Sequence, residues 1–142
     1  MLLEPDVVFP FDRDPSAPSI GRRVIRSLFE ADDPLAERVT LSVSELISNV
    51  VLHTDGGGEM RVWDPKPNVP LRVEIEDFSV SAPVARPSTG LFETGRGLVI
   101  LESLAEAWGT LPTSTGKVVW AEFDRNLAQA QASSTEQNGL RS

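Results

Sequence analysis

Residues 45–54 read Glu45-Leu46-Ile47-Ser48-Asn49-Val50-Val51-Leu52-His53-Thr54, and the fold turns on how this run is read. Its apolar positions suit a helix with a buried face, and at about 3.6 residues per turn Glu45 and Asn49 fall on one side of it. A carboxylate there can accept a proton from a hydroxyl or hold a water. The side-chain oxygen of Asn is a hard ligand of the kind Mg²⁺ takes. The pair therefore suits half of a nucleotide site, and it equally suits the solvated edge of an ordinary amphipathic helix, so the surrounding sequence must decide between the two.

Upstream, Asp33-Pro34 has the form of an N-cap with proline at the first helical position. The apolar spacing of Val39, Val43, Leu46 and Val50 carries this second helix to the Gly56-Gly57-Gly58 break. A first helix is expected from about Ser19, with Ile20, Val24, Ile25 and Leu28 as its apolar stripe and Arg22, Arg23 and Arg26 on the opposite side. Before it, Val7-Val8-Phe9 reads as a short strand closed by Pro10.

Downstream, residues 59–64 alternate, and Leu71, Val73 and Ile75 alternate with Arg72, Glu74 and Glu76, which predicts consecutive strands buried on one face. Residues 78–94 have little periodicity and carry Pro83, Pro87 and Gly90. A loop of that length in a compact domain suggests a functional lid. Leu98, Leu101, Ala105 and Trp108 then predict a third helix that Gly109 stops, and residues 110–113 and 117–123 predict a closing hairpin around Ser114-Thr115-Gly116. From Asp124 onward Gln, Ser, Asn and Ala without an apolar pattern predict a disordered tail.

A length of 142 residues, 40% hydrophobic and 24% charged, fits a single globular domain over residues 1–123 with that tail over 124–142. The chain has no Cys, which removes disulfides, thiolate metal sites and thiol nucleophiles and agrees with a reducing, cytoplasmic setting. The N-terminus is acidic and Pro-interrupted, and no stretch approaches about 18 apolar residues, so neither secretion nor membrane insertion is expected. A net charge of −8 opposes a phosphate backbone and argues against nucleic acid as a partner. An anionic small molecule would need backbone N–H groups and one or two local cations.

Two further features suit such a ligand. Asp77 ends the third strand, where an ionised carboxylate, acceptor-only, can take a hydrogen bond from the exocyclic amine of a base or simply start a loop. The Gly95-Arg96-Gly97-Leu98 turn opens the third helix: its glycines admit a phosphate to the backbone, the helix N-terminus offers free N–H groups, and Arg96 adds a charge. His53 suits the C-terminal end of the second helix, and Lys117 is either a phosphate contact or a solvated hairpin residue.

Taken in order, ELISNVVLHT (residues 45–54), VEIEDFS (73–79), TGRGLVILESLAEAWG (94–109) and GKVVWAEF (116–123) resemble the GHKL, or Bergerat-fold, ATP-binding superfamily. Within it the chain is similar to the small bacterial anti-sigma-factor serine/threonine kinases, over about residues 5–123. The resemblance implies an α+β fold, a two-layer α/β sandwich whose mixed, mostly antiparallel sheet carries its helices on one face. It also implies ATP and Mg²⁺ as cofactors, Glu45 as general base, Asn49 as Mg²⁺ ligand, Asp77 as reader of the adenine amine, residues 78–94 as an ATP lid, and Gly95, Arg96, Gly97 and Leu98 along the phosphates. The implied partner is a sigma factor or an anti-sigma-factor antagonist, and the implied assembly is a homodimer. In place of the usual D-x-G-x-G, the chain has Asp77-Phe78-Ser79-Val80-Ser81. The resemblance therefore admits an alternative, an ATP-binding or degenerate module that sequesters its partner without kinase activity.

Overall fold

The computed structural model describes residues 3–66, 68–78 and 96–125, with the side chains of Arg96, Gly97 and Leu98 outside that set. Along the chain run β1 (Val7–Phe11), α1 (Ala17–Arg26), α2 (Pro34–His53), β2 (Gly58–Trp63), β3 (Leu71–Asp77), α3 (Arg96–Leu104), β4 (Ala107–Pro112) and β5 (Lys117–Phe123). The strands form one sheet in the order β1-β2-β3-β5-β4. Every pairing among the described strands is antiparallel, so the sheet is antiparallel rather than mixed.

The strict alternation of β3 makes the two layers. Leu71, Val73, Ile75 and Asp77 are buried on one face, and their register partners Phe123, Ala121, Val119 and Lys117 on β5 share that face. Met60 and Val62 of β2 join them, and Leu35, Val39, Val43, Leu46, Ile47 and Val50 of α2 close over the resulting apolar floor. On the opposite face stand Arg61, Arg72, Glu59, Glu74, Glu76 and Glu122. Arg61 reaches Glu59 at 2.8 Å and Glu76 at 3.0 Å, and Arg72 bonds Glu122 at 2.9 Å while lying 4.7 Å over the Trp120 ring. Ion pairs of this partly exposed kind contribute about 0.2–1 kcal/mol each, so burial under α2 and not the charge ladder holds the sheet in place.

The helix caps follow the sequence closely for α2. Asp33 accepts a hydrogen bond from Leu35 N at 2.9 Å, Pro34 stands at N1, and Thr54 donates its N–H to Val50 O at 3.2 Å to end the helix. Three expectations need correction. First, α1 starts at Ala17, two residues early, because Pro18 occupies the first turn, where its missing N–H costs nothing. Its most buried line is Ala17, Gly21 and Ile25, with Ile20 and Val24 only partly buried; a Cβ at Gly21 would come within 2.5 Å of Ile47 Cδ1, so the missing side chain brings α2 close.

Second, Pro10 lies inside β1 and pairs with Glu59, which an edge strand tolerates. Third, α3 ends at Leu104, so Ala105 and Trp108 are not helical. Ala105 still donates to Leu101 O at 2.8 Å, but Trp108 enters β4 opposite Ala121, and Gly109 packs against the Trp120 indole, where a Cβ would meet the ring at 2.8–2.9 Å. Spacing by three and four was compatible with either element.

Arg38 ties the far pole together. Nearly buried on α2, it donates from Nε to Leu104 O at 3.2 Å and from both terminal nitrogens to Asp124 O at 3.2–3.3 Å, linking the ends of α3 and β5. Burial pushes its guanidinium down from its ordinary value against the pull of Asp124 and Glu106. Arg125 adds a 2.9 Å bridge to the Asp33 cap. Asp124 and Arg125, read from sequence as the start of the tail, are thus fixed to the fold, and residues 126–142 lie outside the described set. Among the described residues no helix is long and apolar enough to cross a membrane.

Candidate functional site

Chain topology brings the nominated residues to one pole. Only four residues, 54–57, separate the end of α2 from the start of β2, and Gly58 at that start pairs in register with Asp77. The C-terminal turns of α2, with Asn49, therefore lie at the same end of the molecule as Asp77. The third helix points its other end there. Its C-terminal Leu104 is held by Arg38 near the beginning of α2, and the following strand β4 runs back from Ala107, opposite Glu122, to Pro112, opposite Lys117, which is itself opposite Asp77. The N-terminus of α3, at Arg96, is thus directed toward the pole that carries Asn49 and Asp77; the first N–H groups of a helix have no partner within the helix itself.

A polar seam runs up the side of α2 that meets α3. Arg38, Ser42, Glu45 and Asn49 are spaced i, i+4, i+7 and i+11, which places all four in one column. Arg38 and Ser42 are buried, and each is satisfied: Ser42 donates to Arg38 O at 3.0 Å. Glu45 is partly buried one turn below Asn49. Asn49 differs from its neighbours. It is 7% exposed, and among the described residues its Nδ2 is buried without a hydrogen-bond partner.

An unmet buried amide costs about 1–3 kcal/mol; Thr40 Oγ1 of the same helix is likewise buried without a partner, so what distinguishes Asn49 is its place in the C-terminal turns of α2, at the end of the molecule that carries Asp77, where a ligand can supply the missing interaction. Half a turn of the carboxamide exchanges nitrogen and oxygen, so the same position can offer a donor to a phosphate or an oxygen to a cation. Magnesium held here would have Asn49 as its protein ligand and take its other positions from phosphate and water.

Asp77 is 5% exposed at the helix-facing end of the central strand. Backbone approaches it closely on both flanks, and Lys117 of β5, its register partner, shares its face of the sheet. On one side Gly58 is its register partner, with the Phe11 ring packed above it; on the other, the backbone of Gly116 lies against the Asp77 carboxylate, where a Cβ would come 3.1 Å from the carboxylate carbon and closer still to Oδ1. Phe78 N donates to Gly57 O at 2.9 Å, which fixes the exit of the chain from β3. An ionised carboxylate at this position can serve only as a hydrogen-bond acceptor.

Sequence reasoning named Glu45, Asn49 and Asp77, and the structure gathers Asn49, Asp77 and the α3 N-terminus at one end with Glu45 beside them. Gly95 and, of the lid expected over residues 78–94, all but Phe78 lie outside the described residues, as do the side chains of Arg96, Gly97 and Leu98; the backbone of the last three is helical. His53 closes α2, as its position suggested, and Lys117 faces the helices beside Asp77. The reading missed Gly116 as a neighbour of Asp77 and Ser42 as part of the seam. The i, i+4, i+7, i+11 polar column was present in the sequence as the signal for Ser42. A scan against protein-family models and a search of curated proteins find no match to this chain, so the site stands on its geometry.

Proposed function

We propose that this chain is a Bergerat-fold ATP-binding regulatory protein that acts as an anti-sigma-factor-type serine/threonine kinase on a partner regulator. The observation that carries the reading is the buried, unpartnered Asn49 amide at the same pole as the buried Asp77 carboxylate and the α3 N-terminus. In this reading Asp77 accepts a hydrogen bond from the adenine amine, and the α3 N–H groups receive phosphate oxygens. Asn49 would hold Mg²⁺, which when bound would supply neutralisation of charge on the phosphates. Glu45, on the partner-accessible side of Asn49, takes the proton of the acceptor Ser or Thr hydroxyl as its oxygen bonds to the γ-phosphorus and the bridging β,γ-oxygen departs with ADP.

A second reading is favoured by one specific feature. In sequence, Ser79 and Ser81 take the places of the two glycines in the D-x-G-x-G pattern, which would ease a close approach of backbone to a base. Under it the chain binds nucleotide and sequesters its partner without transferring phosphate. Both readings share the metal site. Replacing Asn49 by Ala is expected to abolish the strengthening of ATP binding by Mg²⁺, measured by titration calorimetry with and without the metal. If Mg²⁺ strengthens binding equally in the variant, the ligand is another residue and the site assignment fails.

A further inference from the structure

The two edge strands of the sheet are protected unequally. In β1, Pro10 stands inside the strand and breaks the row of N–H donors that a further strand would need. Strand β4, whose residues Ala107–Pro112 include no charge, has its proline only at the last position. Within the β4–β5 hairpin Thr113 donates its N–H to Gly116 O at 3.0 Å, and the alternation of an antiparallel ladder then directs the backbone groups of Leu111 and Gly109 inward to Val118 and Trp120. The N–H and C=O of Thr110 and the C=O of Pro112 point away from the sheet, and among the described residues they meet no hydrogen-bond partner.

The side chains along this edge differ from end to end. Leu111 is 52% exposed, on the sheet face opposite the helices with its register partner Val118. At the other end negative charge gathers. Exposed Glu106 donates its N–H to Glu122 O at 2.8 Å, and partial desolvation, the nearby Asp124 carboxylate and then Glu122 push its carboxyl up from the ordinary range against the pull of Arg38.

We propose that the outer edge of β4 accepts an extended basic segment of a protein partner as an added antiparallel strand, with an apolar side chain over Leu111 and Lys or Arg beside Glu106 and Glu122. In antiparallel register the basic residues follow the apolar one by about four or five positions, the interval from Leu111 back to Ala107 and Glu106. Strand addition takes its affinity from main-chain hydrogen bonds and its selectivity from alternate side chains and complementary charge. A second copy of this chain suits the edge poorly, because β4 has no basic residue to set against Glu106. The proposal rests on the regulatory reading above only in taking the partner to be a protein, and it requires no nucleotide.

The test uses the full chain and three synthetic peptides of about ten residues with β-branched, uncharged backgrounds, long enough to span β4. One carries Val followed four and five positions later by Lys, the second has Glu in place of those Lys, and the third has the Lys before the Val at the same interval. By fluorescence anisotropy the first is expected to bind at least about 10-fold more tightly than the other two, and to slow hydrogen exchange at the Thr110 amide. T110P removes one outward N–H without touching the ladder to β5, so it is expected to weaken that binding by about 10-fold with little change in melting temperature. E106K, on an exposed side chain, is expected to abolish the preference for Lys over Glu, which keeps the test decisive if T110P fails to fold. Equal binding of the three peptides, no binding of any, Thr110 exchange unaffected by peptide, an unchanged preference in E106K, or a dimer of the free chain that T110P dissociates would overturn the proposal. ATP titrations on the same samples keep the two ideas separate: absent ATP binding with intact peptide discrimination removes the nucleotide reading and leaves the edge site standing, and ATP binding without discrimination does the reverse.

Discussion

Replacing Glu45 by Ala is expected to lower phosphoryl transfer to the partner regulator by about 10² to 10⁴ while leaving ATP affinity within a few-fold, the usual cost of removing a positioned proton acceptor. The separation of the two effects follows from position. Glu45 lies one turn from Asn49 in the middle of α2, whereas Asp77, the residue assigned to the base, is at the end of β3. Single-turnover transfer from γ-labelled ATP, read alongside calorimetric affinity, measures both. A wild-type chain that binds ATP and transfers nothing to the regulator that co-purifies with it contradicts the kinase assignment. The partner-sequestering module then becomes the better account.

Asp77→Ala has the next largest expected effect, and it falls on binding. A hydrogen bond to an ionised acceptor contributes about 1.5–3 kcal/mol, so the loss is roughly 10- to 150-fold in ATP affinity. Because Asp77 is buried between Gly58, under the Phe11 ring, and the Gly116–Lys117 segment, the melting temperature of the variant is read beside its affinity to separate lost binding from lost fold. Equal affinity of wild type and variant would remove Asp77 from the site.

Much of this architecture is written locally in the chain. The Asp33-Pro34 cap, the alternation of Leu71, Val73 and Ile75, and the i, i+4 placement of Glu45 and Asn49 each rest on near neighbours, and each is found where the sequence places it. What sequence could not supply was tertiary. Trp108 fits a helical spacing as well as a strand, and only its pairing with Ala121, beside Gly109 against the Trp120 indole, decides for the strand. Ile20 and Val24 have the composition of core residues, yet Ala17 and Gly21 lie deeper, and at Gly21 the missing side chain is what lets α2 approach α1. The contact of Gly116 with Asp77 joins residues 39 positions apart, and no local pattern announces it.

The unpartnered amide of Asn49 is likewise invisible to spacing, since it depends on what the neighbouring elements fail to provide. Arg38 was equally silent as a structural residue: its carbonyl partners, Leu104 and Asp124, are contributed by segments 66 and 86 positions away.

The central claim is that one end of this sheet holds an adenine nucleotide, and calorimetric titration of the full chain with ATP and with GTP, each with Mg²⁺, tests it most directly. An acceptor-only Asp77 complements the amine of adenine and repels O6 of guanine, so saturable ATP binding at least about 10-fold tighter than GTP binding is the predicted result. No saturable binding of ATP, or equal affinity for the two nucleotides, would contradict it.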